Sequence, residues 1–284
     1  MGKYICGIDE NGFGSILGPL VVTGILVDEG IKIPEYIKDS KIFYRNRNDF
    51  RKLEEIAIVL YYMIEKKLPD SPYEIYKKFT YSQCAFEENI CEKNISSNFR
   101  TLNLNQLLSK YEDFLKESDK LKKVKLNLMC PYFFNAFVDK KNSKFILNLS
   151  LFCKTIKGME EYDNTKFFCG KIGTTIYYKN YLCYFLPEHE IKTINENDEF
   201  SFYKSFKRGK NFEIVFYKNV ENISPVSSLA SIIGKYIREI IMESIRRCLN
   251  IKEEISGYRD KKTKKAIESI DFGKFKKECI IRNC

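Results

Sequence analysis

The sequence predicts an α/β protein with a central mixed β-sheet flanked by helices. Short apolar runs rich in β-branched and aromatic residues, at 4–8 and 20–27, have the composition of buried strands. Longer segments carry apolar residues at helical spacing, at 47–67 and 225–248, and predict amphipathic helices. Strands, an interrupting segment and then C-terminal helices are typical of layered α/β folds.

The first half of the chain begins with the strands at 4–8 and 20–27, which we expect to be neighbours joined by a glycine turn. Residues 69–125 are rich in Lys, Glu, Asn and Ser, and we interpret the whole of 69–165 as an insertion or subdomain. Helices in this half are predicted over residues 47–67, 102–114 and 145–157.

The second half of the chain carries further strands, predicted over residues 166–170, 177–185, 188–194 and 212–217. Ser224 and Pro225 are residue types preferred at the N-cap and first position of a helix, so a long helix is predicted from there to about Cys248. A shorter helix is predicted over 261–270. The predicted division of the chain is a core made of 1–68 and 166–249, the inserted 69–165, and a C-terminal helical extension, 250–284.

The composition is that of a globular chain, with 44% hydrophobic and 30% charged residues over 284 positions. Lys and Arg number 48 against 38 Asp and Glu, which gives a formal charge of +10. Such an excess favours a polyanionic partner, although widely spread lysines also serve solubility.

Cysteine and histidine usage argues against a zinc site, because the ten cysteines include no Cys-x-x-Cys pair and the one histidine is His189. We expect His189 to be an exposed turn residue rather than a general base. The chain runs from Met1 directly into a strand, and no apolar stretch approaches the roughly 18 residues of a membrane span. We therefore expect a soluble, cytoplasmic protein with reduced thiols and no membrane partner.

An acidic pair, Asp9 and Glu10, stands at the end of the first predicted strand and is followed by Gly12 and Gly14. Adjacent carboxylates favour a cation, and glycines let a backbone turn sharply or approach a ligand with its N–H groups exposed. This corner is consistent with a metal-and-phosphate site, and equally with an ordinary acidic hairpin turn.

The long C-terminal helix carries a polar face, formed by Ser228, Ser231, Lys235, Arg238 and Glu239 at spacings of three, four, three and one. Its apolar residues are available to pack on the sheet, which leaves the polar ones to line a site. The alternative is a solvated face with a Lys235–Glu239 pair one turn apart.

Five motifs along the chain resemble those of the type 2 ribonucleases H, ribonuclease HII and ribonuclease HIII. They lie in the first 41 residues and roughly in 225–265. In order they are Ile8-Asp9-Glu10-x-Gly12-x-Gly14, Gly18-Pro19-Leu20-Val21-Val22, Asp39-Ser40-Lys41, Ala230-Ser231-Ile232-Ile233-x-Lys235-x-x-Arg238-Glu239 and Ser256-Gly257-Tyr258.

The resemblance implies an RNase H-like fold in which acids hold two divalent ions, Mg²⁺ or Mn²⁺, beside a scissile phosphate. Asp9, Glu10 and Glu239 match the family's acids and are the implied catalytic and metal-binding residues. The implied activity is endonucleolytic hydrolysis of the RNA strand of RNA–DNA hybrids, or cleavage at ribonucleotides embedded in duplex DNA. We expect a monomer whose partner is nucleic acid.

The resemblance also implies a nucleic-acid-binding surface. The glycine turn (Gly12, Phe13 and Gly14) would meet the backbone, Lys41, Ser231 and Lys235 would lie near the phosphates, and Tyr258 would pack on the sugar of the ribonucleotide. A contact to the 2′-hydroxyl is how such a protein distinguishes ribose from deoxyribose.

Two positions depart from the family's pattern. Phe13 stands where the family has arginine between the glycines. The family's third acid ends a central strand, but the matching stretch here ends in Cys169-Gly170 without a carboxylate, and Asp139 is a weaker match for the missing acid. Two other functions therefore stay open: a catalytically degenerate nucleic-acid-binding protein, and an interaction protein that uses 69–165 to bind a partner.

Overall fold

The computed structural model describes residues 3–37, 49–82, 90–101, 103–140 and 143–283. The predicted motif Asp39-Ser40-Lys41, and with it the candidate site residue Lys41, lies outside the described residues. No helix within these ranges combines the length and the apolarity needed to cross a bilayer.

Eight strands of the described chain form one mixed sheet in the spatial order β3-β4-β2-β1-β5-β8-β7-β6. The central strand β1 is antiparallel to β2 and parallel to β5, which in turn is parallel to β8. The strands are β1 (Tyr4–Asn11), β2 (Leu20–Asp28), β3 (Thr80–Ser82), β4 (Leu121–Met129), β5 (Thr165–Gly170), β6 (Glu190–Glu196), β7 (Phe200–Lys207) and β8 (Lys210–Tyr217).

Helices cover both faces of this sheet. They are α1 (Phe50–Glu65), α2 (Pro72–Phe79), α3 (Leu104–Lys110), α4 (Glu112–Leu115), α5 (Pro131–Val138), α6 (Lys144–Lys157), α7 (Lys179–Phe185), α8 (Pro225–Cys248) and α9 (Lys261–Glu268). The core on one face is built largely from β2, α1 and α8, and the core on the other from β1, β5, α6 and α7. The predicted α/β class with a central mixed sheet is therefore confirmed.

The long helix α8 lies directly on β1. A Cβ atom at Gly7 would be 2.4 Å from the backbone nitrogen of Ser227, and one at Gly234 would be 2.0 Å from Oδ1 of Asn11. Glycine at both positions lets helix and strand approach this closely. The helix begins as predicted, since the Ser224 side chain accepts a hydrogen bond from the backbone N–H of Ser227. The close packing fixes the polar face of α8 beside the end of β1.

One predicted strand is wrong, because 177–185 contains helix α7 instead. Its aromatic composition favours a strand, but the fully buried positions, Tyr178, Leu182 and Leu186, recur every four residues, which is the period of a helix. Strand β7 lies between the predicted strands 188–194 and 212–217 and was not itself predicted.

The segment 69–165, predicted as an insertion, contributes β3 and β4 to the sheet, and β4 pairs along its length with β2. Helix α6, from the same segment, packs against β2. The division into core, insertion and extension stays a prediction. The segment 69–165 nevertheless supplies two strands of the central sheet and a helix that packs on that sheet.

His189 is buried, at 7% exposure, which corrects the prediction of an exposed turn residue. Its Nε2 lies 2.8 Å from Oε2 of Glu160 and its Nδ1 lies 2.7 Å from Oγ of Ser205. A carboxylate only accepts hydrogen bonds, so Nε2 carries the proton and Nδ1 accepts from the serine hydroxyl. Burial lowers the pKa of His189, and the opposing charge of Glu160 only partly offsets this effect.

This depressed pKa predicts acid sensitivity. As pH falls below about 6.5, the unfolded chain binds a proton that native His189 resists, so the free energy of unfolding should decrease. The variant His189→Gln has no titrating ring and should lose this component between pH 7.5 and 5.5 in urea unfolding. Parallel pH profiles for the two proteins would contradict the prediction.

Candidate functional site

A cavity of about 380 Å³ opens where β1, β5 and β8 end beside the polar face of α8. We call it the acid cavity, since four carboxylates are among its lining residues: Asp9, Glu10, Glu221 and Glu239. The other polar residues that matter for chemistry there are Lys171, Ser231, Lys235, Arg238 and Tyr258. The structure thus brings together six of the residues predicted from sequence, namely Asp9, Glu10, Ser231, Lys235, Glu239 and Tyr258.

The acidic pair lies within β1, which continues to Asn11, rather than just beyond the strand as the sequence suggested. The parallel pairing with β5 ends at Ile8 and Cys169, so Asp9 and Glu10 follow the last paired position. Both carboxylates therefore stand at the open end of the central sheet.

Like charges crowd this end of the sheet. Burial raises the pKa of Glu10 well above its usual range, and the negative charges of Asp9 and, to a smaller extent, Glu221 raise it further. A bound cation would relieve this repulsion and favour the ionised carboxylates. The acidic pair thus lies in a cavity beside further carboxylates, Glu221 and Glu239.

Gly170 is the last residue of β5, where the resemblance implies a third acid. A Cβ atom there would lie 3.0 Å from Oδ1 of Asp9 and 3.6 Å from Oε2 of Glu10, so a side chain at 170 would enter the acid cavity. The neighbouring Cys169 instead points into the core, and burial raises its pKa well above the usual range. A thiol held neutral in this way behaves as a small hydrophobe. Asp139 follows α5, where the side-chain amide of Asn283 donates to it, and it is not among the described residues that line the cavity.

Glu221 is a site residue that sequence reasoning missed. It lies on a short 3-10 helix, Val220–Asn222, between β8 and α8. Because β8 neighbours β5 in the sheet, this turn stands beside Gly170, with Cγ1 of Val220 3.8 Å from where a Cβ would be. The only available signal was an acid shortly before the N-cap of the long helix, and it becomes informative once the strand order is known.

The polar face of α8 borders the acid cavity rather than bulk solvent. Ser231 is only 8% exposed, and burial lowers the pKa of Lys235, with the charge of Glu239 acting in the opposite direction. Lys235 and Glu239 both line the cavity, so a positive and a negative group lie together at one wall. This position supports the site interpretation of the helix face over the solvated one.

Arg238 joins two of the motifs to the loop between β1 and β2. Its side chain is 3% exposed and donates hydrogen bonds to the carbonyl oxygens of Ser256 (3.3 Å) and Leu17 (3.4 Å). Its guanidinium lies 5.0 Å from the centre of the Tyr258 ring, within cation–π range. Tyr258 is 43% exposed, so part of its ring is available to a ligand.

The glycine turn stands next to the cavity but is not part of its lining. Gly12 is buried with φ +86°, and a Cβ there would be 2.5 Å from Nε of Arg238, so only glycine fits. Phe13 packs partly against the core of the α6 face. Gly14 is exposed with open space around it, so its backbone is accessible to a ligand.

The donor set suits a hard divalent cation, since its carboxylates provide oxygen ligands. Among the described residues, no three carboxylate, thiol or imidazole groups converge closely enough to hold a metal ion. Binding an ion would therefore require the acidic side chains to rotate toward one another.

The likeness to Bst-RNase HIII confirms the predicted RNase H-like fold. Bst-RNase HIII in complex with Mn²⁺ superposes with a TM-score of 0.50 at 12% identity, covering 99% of this chain and 66% of that one. RNase HII of Archaeoglobus fulgidus, solved in complex with PCNA, gives a TM-score of 0.47 at 14% identity, covering 98% and 93%. Ribonuclease H2 from Pyrococcus horikoshii OT3 gives 0.47 at 16%, covering 94% and 86%. Searches of the sequence against protein-family models and curated proteins return no match.

Proposed function

We propose that the protein is a ribonuclease H-type endonuclease that uses Mg²⁺ or Mn²⁺ and acts on RNA–DNA hybrids or on ribonucleotides within duplex DNA. The observation that carries this proposal is the acid cavity: four carboxylates, with Lys235 and Tyr258, surround the end of the central strands of an RNase H-like fold. The net charge of +10 adds a general attraction for a polyanionic substrate.

Asp9, Glu10, Glu221 and Glu239 are the residues that would hold the metal. Bound divalent ions supply electrostatic stabilisation to the attacking and departing oxygens of a phosphodiester during in-line displacement. The carboxylates of Asp9 and Glu10 come from adjacent positions of one strand, while Glu221 comes from the 3-10 helix after β8 and Glu239 from the middle of α8. Four acids on three elements can therefore adjust around a cation without moving the sheet.

Other groups of the cavity would hold the nucleic acid. The ammonium of Lys235 is placed to balance the charge of a bound phosphate, and its partial burial strengthens that interaction. The exposed part of the Tyr258 ring offers a packing surface for a sugar, and the open backbone at Gly14 offers a hydrogen-bond donor. Hydrolysis at this site would leave a 3′-hydroxyl and a 5′-phosphate.

Gly170 supports a second candidate function, a nucleic-acid-binding protein of the same fold that does not cleave. A position whose side chain would enter the cavity beside Asp9 carries no carboxylate. With one ligand fewer at this wall, a second ion would be held less tightly. Lys235 and Tyr258 would still provide a binding surface.

A cleavage assay decides between the two functions. The substrate is a labelled DNA duplex with one embedded ribonucleotide, incubated with Mg²⁺ or Mn²⁺, beside an all-DNA duplex and an RNA–DNA hybrid. The endonuclease proposal expects a product that ends in a 3′-hydroxyl and depends on the metal. Tight, salt-sensitive binding without any product would favour the binding protein.

The role of Glu221 can be tested by the variant Glu221→Gln, which keeps the shape of the side chain and removes its charge. If Glu221 is a ligand, the metal-dependent rise in melting temperature should shrink and the cleavage rate should fall by at least about tenfold. Glu199→Gln is a matched control, since Glu199 is 74% exposed and lies 3.8 Å from Lys218 outside the cavity. Equal behaviour of the two variants would remove Glu221 from the metal site.

A further inference from the structure

The C-terminal residues 280–283 pack along the loop that joins β1 to β2. Leu17 and Ile281 form an isolated antiparallel bridge. The backbone N–H of Gly18 donates to Ile280 at 2.9 Å, and that of Arg282 donates to Ile16 at 2.9 Å. This loop, residues 12–18, therefore pairs with a segment more than 260 residues away in sequence.

Arg282 bridges the two ends of the loop. Its side chain is 3% exposed, and its guanidinium donates to the carbonyl oxygen of Gly12 (Nη1, 2.6 Å) and to that of Gly18 (Nε, 2.8 Å). Both glycines have left-handed backbones, with φ +86° and +79°. The planar guanidinium with fixed donor directions sets the distance between these two carbonyls, which a flexible ammonium would not do.

Neighbouring groups hold Arg282 itself in place. The ring of Phe134 lies 4.7 Å from the guanidinium carbon, within cation–π range. The side chain of Asn135 donates to the carbonyl of Ile281 (2.8 Å) and accepts from the backbone N–H of Asn283 (2.7 Å). The side chain is thus clamped between α5 and the loop rather than free to change rotamer.

The same loop is tied to the Tyr258 turn. The carbonyl of Gly257 accepts hydrogen bonds from the backbone N–H groups of Ile16 (2.8 Å) and Leu17 (3.1 Å). A shift of the loop would therefore move Tyr258, which lines the acid cavity, as well as the exposed backbone at Gly14.

We propose that Arg282 is a positioning residue for nucleic-acid binding. By bridging the carbonyl oxygens of Gly12 and Gly18, it holds the 12–18 loop and the Tyr258 turn in the arrangement that binds the duplex. This inference rests on the proposed function. Two arginines distant in sequence, Arg238 and Arg282, donate to carbonyl oxygens of this loop in addition to its backbone hydrogen bonds.

The test compares Arg282→Met, which removes both donated hydrogen bonds, with Arg282→Lys, which keeps the positive charge but lacks the planar guanidinium that bridges the two carbonyls. Arg247→Met is the matched control, since Arg247 is an exposed arginine of α8 paired with Glu243. Each protein is titrated with the single-ribonucleotide duplex by fluorescence anisotropy at several salt concentrations, and its melting temperature and steady-state cleavage are recorded.

We expect Arg282→Met to weaken duplex binding about tenfold, because the loop must be ordered on binding. The larger part of any activity loss should appear in KM rather than kcat, and Arg282→Lys should be intermediate. The salt slope should stay within error of wild type, because a direct phosphate contact would reduce it by about 0.9 and a positioning residue would not. Arg247→Met should match wild type.

Unchanged duplex affinity in Arg282→Met, with only a lower melting temperature, would overturn the proposal and leave Arg282 a purely structural residue. If Arg282→Met does not fold, Arg282→Lys and Asn135→Ala test the proposal instead. Arg282→Lys keeps a cation at position 282, and Asn135→Ala keeps the arginine while it removes the hydrogen bonds that hold the neighbouring backbone. If the wild type binds the duplex without cleaving it and Arg282→Met binds it more weakly, the endonuclease proposal is contradicted and the positioning role of Arg282 is retained. A wild-type protein that binds no duplex would overturn both proposals.

Discussion

Replacing Asp9 by Asn should reduce metal-dependent cleavage more than about 100-fold, beyond the roughly 10- to 100-fold cost of losing a group that only supports a ligand. The amide keeps the size of the side chain but removes a charge from the most crowded part of the acid cavity, beside Glu10 and the Cβ position of Gly170. The same change should raise the melting temperature of the metal-free protein, since a like-charge repulsion disappears.

Two thermal measurements check this result independently of catalysis. In the wild type, Mg²⁺ or Mn²⁺ should raise the melting temperature, because a ligand that binds only the folded state stabilises it. In Asp9→Asn that rise should be largely lost while the metal-free value increases. Asp113→Asn, a change in an almost fully exposed acid that pairs with Lys116, should leave both values as in the wild type. Cleavage by Asp9→Asn at the wild-type rate would exclude the proposed metal site.

The largest effect on stability is expected from Gly7→Ala. A methyl group at this position would lie 2.4 Å from both the carbonyl carbon of Val226 and the backbone nitrogen of Ser227. These are main-chain atoms at the start of α8, so no rotamer change can relieve the clash and the helix must move away from β1. We expect a loss of about 3 kcal/mol or more in the free energy of unfolding, at or above the upper end for an overpacked core.

Urea unfolding of the purified variants measures this loss. Gly30→Ala is the matched control, since a Cβ there meets nothing within 4 Å, and it should unfold within about 0.5 kcal/mol of the wild type. A shifted α8 would also carry Lys235 and Glu239 away from Asp9, so Gly7→Ala should bind metal less tightly when folded. An unchanged midpoint would mean that α8 is not fixed at this contact.

Local signals were sufficient for much of the fold. The strand pair at the start of the chain and helix α8 follow from apolar runs, from helical spacing and from the Ser224-Pro225 start, all of which act within a few residues. The Asp9-Glu10 pair and the polar face of α8 were recognised as candidate site residues for the same reason. Each belongs to one continuous element.

What the sequence could not supply depends on neighbours distant along the chain. Helix α7 has the composition of a strand, and only the core it covers selects the helical period of its buried positions. Glu221 enters the cavity because β8 lies beside β5, which no local pattern reveals. His189 is buried by partners from β7 and from the end of the 69–165 segment, so its polar flanking residues suggested the wrong environment.

The contact of Arg282 with the carbonyls of Gly12 and Gly18 spans 270 and 264 positions of the chain. Contacts of such long range form late, because the entropy of closing the intervening chain is lost before the contact stabilises anything. During synthesis the acidic pair of β1 is therefore made well before Arg282, which braces the loop that follows this pair. A nascent chain therefore carries its acidic pair through the synthesis of more than 260 further residues before the loop beside it acquires this support, so assembly of this surface waits for a distant part of the chain.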